Sequence, residues 1–212
     1  MPDLYEAIVN GNAEAAAAAV HQALESGTAA LQLVEGQMVP AMDEVGRRFG
    51  CEEYFVPDLL LAARAMKAAM EPIRPLLAAS GAHSAGRVVI GTVKGDVHDI
   101  GKNIVASMLE GAGFEVIDLG TDVAPQGFVE AVRSRHPDLV CLSALLTMTM
   151  GAMKITIEAL QAAGVREQAK VLVGGAPVTQ RFADEIGADG YGNNGVAAVA
   201  LARRMMAARQ PV

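Results

Sequence analysis

Residues 87–103 read RVVIGTVKGDVHDIGKN, and their reading decides the fold. The opening RVVIGTV is a β-branched apolar run, short enough for a strand and apolar enough to be covered on both faces. A polar, glycine-containing loop follows, and then a helical segment at 101–111. The same grammar repeats downstream. Strands are expected at 114–119, 139–145, 170–173 and 189–191, and helices at 127–135, 151–163, 182–186 and 196–208. Apolar strands alternating with helices build a parallel sheet with helices on both sides. Five of them fit a Rossmann-like, flavodoxin-like α/β domain with strand order 2-1-3-4-5, whose switch point lies between strands 1 and 3. Ligand chemistry is therefore expected in the loops that leave the carboxyl ends of those two strands.

Upstream the composition changes. Residues 1–79 are dominated by Ala, Leu, Met, Glu and Gln, which are good helix formers, and they predict an N-terminal all-α bundle of about four helices. Asn12 is placed to cap a helix at 13–25, with Gly27 just past its end. Thr28 is placed to cap the next helix, which runs toward Phe49 and is broken or bent near Pro40. Pro57 suits the first turn of a helix through Met70, which Pro72 and Pro75 should stop. The small, polar stretch 80–86 reads as a linker. The expected organisation is a helical domain at 1–79, the linker at 80–86 and an α/β domain at 87–212.

Composition narrows the function. The chain has 212 residues, is 52% hydrophobic and 19% charged, and carries a net charge of −7. It can bury a core and shows no dense basic stretch, so neither nucleic acid nor an anionic membrane is an expected partner. Aromatic residues are only 4% and Trp is absent, which argues against a base-stacking surface. The two cysteines, Cys51 and Cys141, are far apart and lack metal-type spacing, as free thiols in a reducing cytoplasm would be. No signal peptide or membrane-spanning run is expected.

The loops at the switch point are unusual. Strand 1 runs into Lys94-Gly95-Asp96-Val97-His98-Asp99-Ile100-Gly101. Asp96 and His98 are two residues apart, so in an extended loop both side chains point the same way. A carboxylate beside a histidine can fix its tautomer and leave the other ring nitrogen free for a metal. Gly95 and Gly101 allow a tight path and close approach of a bulky ligand. The spacing alone is equally compatible with a surface loop histidine. An ordinary divalent ion at Asp96, His98 and Asp99 would lack the further His or Cys ligands it needs. After strand 3, Ser143-Ala144-Leu145-Leu146-Thr147-Met148-Thr149 brings three hydroxyls together, although Thr147 or Thr149 could simply cap the following helix. After strand 4, Gly174-Gly175 marks a turn or a place where a flat ligand meets the backbone.

These motifs resemble the cobalamin-binding domain. Asp96-Val97-His98-Asp99-Ile100-Gly101 fits its D-x-H-x-x-G pattern. The run GDVHDIGKNIV from Gly95 to Val105 is similar to that of methionine synthase and of the corrinoid proteins of methanogen and acetogen methyltransferase systems. Ser143-x-x-x-Thr147-x-Thr149 resembles their second loop and Gly174-Gly175 their third. Phe49, Tyr54-Phe55-Val56-Pro57 and Leu59 resemble the helical cap over the methyl-bearing face of the corrin. The resemblance spans nearly the whole chain.

It implies a cobalamin or related corrinoid cofactor cycling between methylcobalamin and cob(I)alamin states. His98 would be the lower cobalt ligand, Asp96 would hydrogen-bond its far nitrogen, and Thr149 would take the next relay position, where methionine synthase-like sequences commonly have Ser. Gly95, Val97, Asp99, Ile100 and Gly101 would complete the binding loop. Ser143, Leu145 and Thr147 would line the cleft for the nucleotide tail, and Gly174 and Gly175 would let the tail's base approach. Phe49, Val56 and Leu59 would pack over the upper face, although without the resemblance they read as ordinary bundle core.

The implied role is a methyl-shuttle protein. It would be served by a substrate-specific methyltransferase, an acceptor methyltransferase and a corrinoid reductive-activation protein, and would not be catalytic alone. Docking would require the cap to swing about 80–86. The alternatives are a B12-dependent sensor or regulator, which would usually add a DNA-binding module, and an isomerase domain using the adenosyl form, which normally lacks this cap.

Overall fold

The computed structural model describes residues 3–80 and 85–208. Residues 81–84 of the expected linker lie outside the described residues. The chain divides into two compact units. One comprises Met1–Ser84 with Ser107–Gly113, the other Ala85–Ala106 with Phe114–Val212.

The first unit is helical. Helix α1 (Leu4–Val9) begins at Asp3, whose carboxylate accepts the Tyr5 N–H at 3.0 Å. Helix α2 (Ala13–Glu25) is capped by Asn12 as expected, its Oδ1 accepting from Ala15 N at 3.0 Å. Gly11, in the turn between them, is left-handed at φ 69 and lies so close to the helix at Val56–Ser80 that an added Cβ would sit 2.5 Å from Leu61 Cβ. Only glycine fits both demands.

The expected cap at Thr28 is not formed. Thr28 instead finishes α2: its N–H donates to Ala23 O and the Gly27 N–H to Leu24 O, both at 3.0 Å, with Gly27 at φ 87. That is a Schellman ending. With Thr28 used there, helix α3 (Ala30–Leu33) starts from Ala29 without a side-chain cap. A π-helical turn, Val34–Met38, links α3 to α4 (Val39–Gly50). The expected break near Pro40 takes this form, because Pro40 cannot donate to the carbonyl four residues back and the turn shifts the register instead.

Helix α5 (Val56–Ser80) corrects another expectation. Pro57 lies in its first turn, and the Asp58 carboxylate reaches back to the Phe55 N–H at 2.9 Å. The helix nevertheless continues through Pro72 and Pro75. Its apolar stripe explains why. Leu59, Ala62, Met66, Ala69 and Ile73 recur at helical spacing and are buried, Ile73 at 0% exposure. Burying such a stripe contributes about 25 cal/mol per Å², which outweighs the lost backbone bonds.

The second unit holds five parallel strands: β1 (Arg87–Thr92), β2 (Glu115–Asp118), β3 (Leu139–Ser143), β4 (Lys170–Gly174) and β5 (Gly190–Gly192). Their order is β2-β1-β3-β4-β5, as the sequence predicts. Helices α6 (Ile100–Gly111), α7 (Pro125–Arg135), α8 (Met150–Ala162), α9 (Gln180–Glu185) and α10 (Gly195–Ala207) connect and follow them. Val89 pairs with Val140, and Val140 with Val171, in a continuous buried layer covered by Phe128, Val132, Met153, Ile157 and Leu160. Strands β1 and β3 end one and two residues before the expected limits of 93 and 145, because Val93, Ala144 and Leu145 leave the ladder to shape the loops above it. Among the described residues, no helix is long and apolar enough to cross a membrane.

Candidate functional site

The β1 loop is folded by short local bonds. Gly95 is left-handed at φ 85, which turns the chain so that the Asp96 N–H meets Val93 O at 3.1 Å. The buried Thr92 hydroxyl donates to His98 O at 2.8 Å and holds the far side of the loop. The result places Asp96 inside and His98 outside: their side chains are 0% and 45% exposed.

A buried carboxylate must be satisfied, and this one is. Asp96 Oδ1 accepts from His98 Nδ1 at 2.7 Å and from the His98 N–H at 3.1 Å. Oδ2 accepts from Leu145 N at 2.8 Å, from Leu146 N at 3.3 Å and from the Thr149 hydroxyl at 2.7 Å. Burial pushes the acid up. It is outweighed by the Thr149 hydroxyl, the Leu145 N–H and the two His98 donors, which hold the carboxyl well below the usual range. An ionised Asp96 can only accept. Nδ1 of His98 therefore carries a proton, and in the neutral ring Nε2 keeps a free lone pair.

Thr149 decides between two readings of the second loop. It sits at the N-cap of α8 but makes no side-chain cap bond. Its Oγ1 lies 2.7 Å from Asp96 Oδ2 and 2.8 Å from Leu146 O. A hydroxyl has one proton for these two acceptors. With Asp96 ionised, the charged oxygen takes it. If Asp96 were protonated, Asp96 would donate to Oγ1 and Oγ1 to Leu146 O. The same geometry thus serves both protonation states of the His–Asp–Thr chain.

The other expected residues divide. Gly95, Val97, Asp99, Ile100, Gly101, Ser143, Leu145 and Thr147 all lie in or beside the β1 and β3 loops. Ser143 is half-buried, and its carbonyl accepts the Val93 N–H at 3.0 Å, tying the two loops together. Gly174 and Gly175 lack side chains for a reason internal to the protein. A Cβ on Gly175, at φ 127, would fall 1.8 Å from Ala144 O, and one on Gly174 would fall 3.0 Å from Gly192 O. Phe49, Val56 and Leu59 belong to the helical unit. Phe49 lies in the last turn of α4 and Val56 opens α5, both half-buried, while Leu59 is part of the buried stripe.

Residues that sequence reasoning passed over complete the site. Leu146 and Met148 join Val97, Ile100 and Leu145 as exposed large apolar side chains on these loops, Met148 at 91% and Ile100 at 75%. Such a group beside a polar centre marks a binding surface. Asp122, beyond β2, accepts from the Gly95 N–H at 2.8 Å. The β2 loop offered no motif that would have flagged it.

The donor set suits one kind of metal. Among the described residues no group of three or more His, Cys, Asp or Glu could hold an ion. One imidazole cannot retain a free divalent cation. It can serve as an axial ligand to a metal whose other ligands arrive with it, and the apolar side chains around His98 suit the face of such a macrocycle.

Comparison with known proteins agrees. Residues 86–200 match the family described as B12 binding domain, and residues 2–73 match a second family of the same description. The chain is 49% identical over 189 residues to the trimethylamine corrinoid protein 2 of Methanosarcina mazei, covering 88% of this chain and 87% of that one. Among solved structures it is similar to a cobalamin-binding protein from Desulfitobacterium hafniense, with 35% identity, TM-score 0.78 and coverage of 96% and 97% of the two chains. It is also similar to a chain of the methanol:cobalamin methyltransferase complex from Methanosarcina barkeri, with 31% identity, TM-score 0.84 and coverage of 97% of this chain and 78% of that one.

Proposed function

This chain belongs to the B12-binding corrinoid proteins, and from that membership we propose that it holds its corrinoid through His98 and carries methyl groups between methyltransferases. When bound, the corrinoid supplies a cobalt that accepts and releases a methyl group. Everything else falls to the protein. His98 offers Nε2 to the metal. Asp96 fixes the ring and its tautomer, and a charge-assisted bond of this kind is worth roughly 1.5–3 kcal/mol. Thr149 and the Leu146 carbonyl give Asp96 a partner in either protonation state, so the chain behind the ring would be able to hold or release a proton.

Val97, Ile100, Leu145, Leu146 and Met148 exclude water from the ring's edge. Gly95, Asp99 and Gly101 complete the loop under it, and Ser143, Thr147, Gly174 and Gly175 line the path of the cofactor's tail. Phe49 and Val56, half-buried in a helical domain at 1–79 joined by 80–86 to the corrinoid domain at 87–212, would be the helical domain's contribution to the cofactor's other face, whereas Leu59 is taken up by the buried stripe of α5.

The partners are methyltransferases. A substrate-specific one would supply the methyl group, an acceptor one would take it, and a reductive-activation protein would return electrons to oxidised cobalt. Identities of 49% and 47% to trimethylamine corrinoid proteins and 42% to a dimethylamine corrinoid protein favour a methylamine as donor. Cys51 and Cys141 are free, which suits the cytoplasm.

The observation that carries this reading is the His98 Nδ1–Asp96 contact of 2.7 Å, which leaves Nε2 as the ring nitrogen available to a metal. Reconstitution with hydroxocobalamin tests it. His98→Ala should still bind through the cofactor's tail but change the visible spectrum, and an unchanged spectrum removes His98 from cobalt. Mixing the loaded protein, first reduced to the Co(I) state with a low-potential chemical reductant, with methylamine- and methanol-specific methyltransferases and their methyl donors tests the donor. Methyl loading by the methanol enzyme alone would overturn the methylamine assignment.

A further inference from the structure

The His98 loop has a second anchor, on the side away from Thr149. Asp122 lies just beyond β2 in left-handed backbone at φ 54, a conformation L residues rarely adopt and Asp tolerates better than most. Three successive residues of the loop are tied to it. Its Oδ1 accepts the Gly95 N–H at 2.8 Å, and its Oδ2 accepts the Lys94 ammonium at 2.9 Å. Its own N–H donates to Asp96 O at 2.8 Å. The next residue continues the clamp, since Val123 pairs with Val93 and donates to Thr92 O at 3.0 Å.

The arrangement has a consequence for the ring. The Asp96 carboxylate is pinned from the β3 side by Leu145, Leu146 and Thr149, while its main chain is pinned from the β2 side by Asp122. With both ends fixed, one carboxylate meets Thr149 through Oδ2 and His98 Nδ1 through Oδ1, each at 2.7 Å. We propose that Asp122 is a positioning residue for His98. Through its carboxylate, which fixes the Gly95 N–H and the Lys94 ammonium from the β2 side, it holds the imidazole in the Nδ1–H form with Nε2 presented to cobalt. The proposal rests on His98 being the cobalt ligand.

Two variants separate this role from a merely structural one. Asp122→Gly takes the left-handed backbone without strain and removes both carboxylate bonds. Asp122→Asn keeps an acceptor for Gly95 and loses the ion pair with Lys94. In the intact, corrinoid-free protein, nitrogen NMR of the His98 ring should show the Nδ1–H form in wild type and Asp122→Asn. Asp122→Gly should raise the Nε2–H fraction roughly five-fold, the effect of one lost hydrogen bond. After loading with hydroxocobalamin, the ratio of histidine-bound to histidine-free cofactor should fall roughly five-fold in Asp122→Gly and hold in Asp122→Asn. Wild-type ring signals in Asp122→Gly overturn the proposal, whether or not its melting temperature drops. If wild-type protein loads corrinoid without a histidine nitrogen on cobalt, the functional reading falls instead, and the NMR comparison still reports on Asp122.

Discussion

Thr149→Val isolates the hydroxyl at the end of the chain behind His98. Valine keeps the shape of threonine and deletes a donor that lies 2.7 Å from Asp96 Oδ2. Asp96 is fully buried and Thr149 is 8% exposed, so water cannot replace the bond without opening the loop. A hydrogen bond to a charged group contributes about 1.5–3 kcal/mol. Oδ2 keeps the N–H of Leu145 at 2.8 Å and of Leu146 at 3.3 Å, which puts the loss near the lower end. About 1.5–2 kcal/mol lowers the melting temperature of a chain of this size by roughly 3–8 °C.

The Asp96 carboxyl should also titrate higher in the variant, because the Thr149 hydroxyl is foremost among the groups that hold it down against burial. Thr149→Ser is the control. It keeps the hydroxyl and deletes a methyl group, costing about 0.8 kcal/mol, and should leave the Asp96 titration in place. Urea unfolding of the corrinoid-free protein and carbon NMR of Asp96 measure both effects. If Thr149→Val stays within about 0.5 kcal/mol of wild type, or Thr149→Ser does equal damage, the hydroxyl does not serve Asp96.

Other perturbations follow from the same geometry. Gly175→Ala forces a Cβ to within 1.8 Å of Ala144 O at φ 127, so it should cost at least about 2–3 kcal/mol and displace the Leu145 N–H from Asp96; an unperturbed Leu145 amide signal would contradict this. Lys102 is 2% exposed and paired with Asp118 and Asn103, whereas Asp118 is 40% exposed. Asp118→Ala strands a buried ammonium and should cost about 3 kcal/mol, while Lys102→Met leaves a carboxylate that water can reach and should cost about 1 kcal/mol; equal losses in urea unfolding would refute the asymmetry. Acid should destabilise the fold in a defined window. Asp96 and Asp189 are raised by burial but held low on balance by their donors, and Glu44 is lowered to about 2 by Arg47 and Arg48. Depressed carboxyls stabilise above their unfolded value of roughly 4 and lose that contribution as pH falls through the folded value. Stability should therefore hold from about pH 7 to 5 and fall between about pH 4 and 2, and Asp96→Asn should soften that fall. An identical acid profile in Asp96→Asn would show that Asp96 is not part of it.

Strands β1, β3 and β4 were legible as apolar runs, whereas β2 (EVID) and β5 (GYG) were placed by their alternation with helices, and the order is one that five such strands fit. The Asp96–His98 pair was legible because period-two spacing and a motif coincide. Other features depend on what packs against what. Nothing near Pro72 and Pro75 announces that the α5 stripe continues through Ile73. Thr28 looks like a cap until Gly27 is seen to take φ 87 and draw it into the end of α2. Thr149 stands where a helix cap belongs, yet its hydroxyl turns to a carboxylate 53 residues earlier in the chain. Asp122 carries no motif, and its role comes from a parallel pairing, Val93 with Val123, that forms beyond the regular strands.

The central claim is a bond from the His98 ring to cobalt. Electron paramagnetic resonance of the corrinoid-loaded protein in its Co(II) state measures it directly when the histidines carry nitrogen-15. The account predicts that the nitrogen splitting changes from three lines to two on labelling and disappears in His98→Ala. A three-line pattern that persists in the labelled protein would mean that the cofactor's own base still occupies the metal, and His98 would not be its ligand.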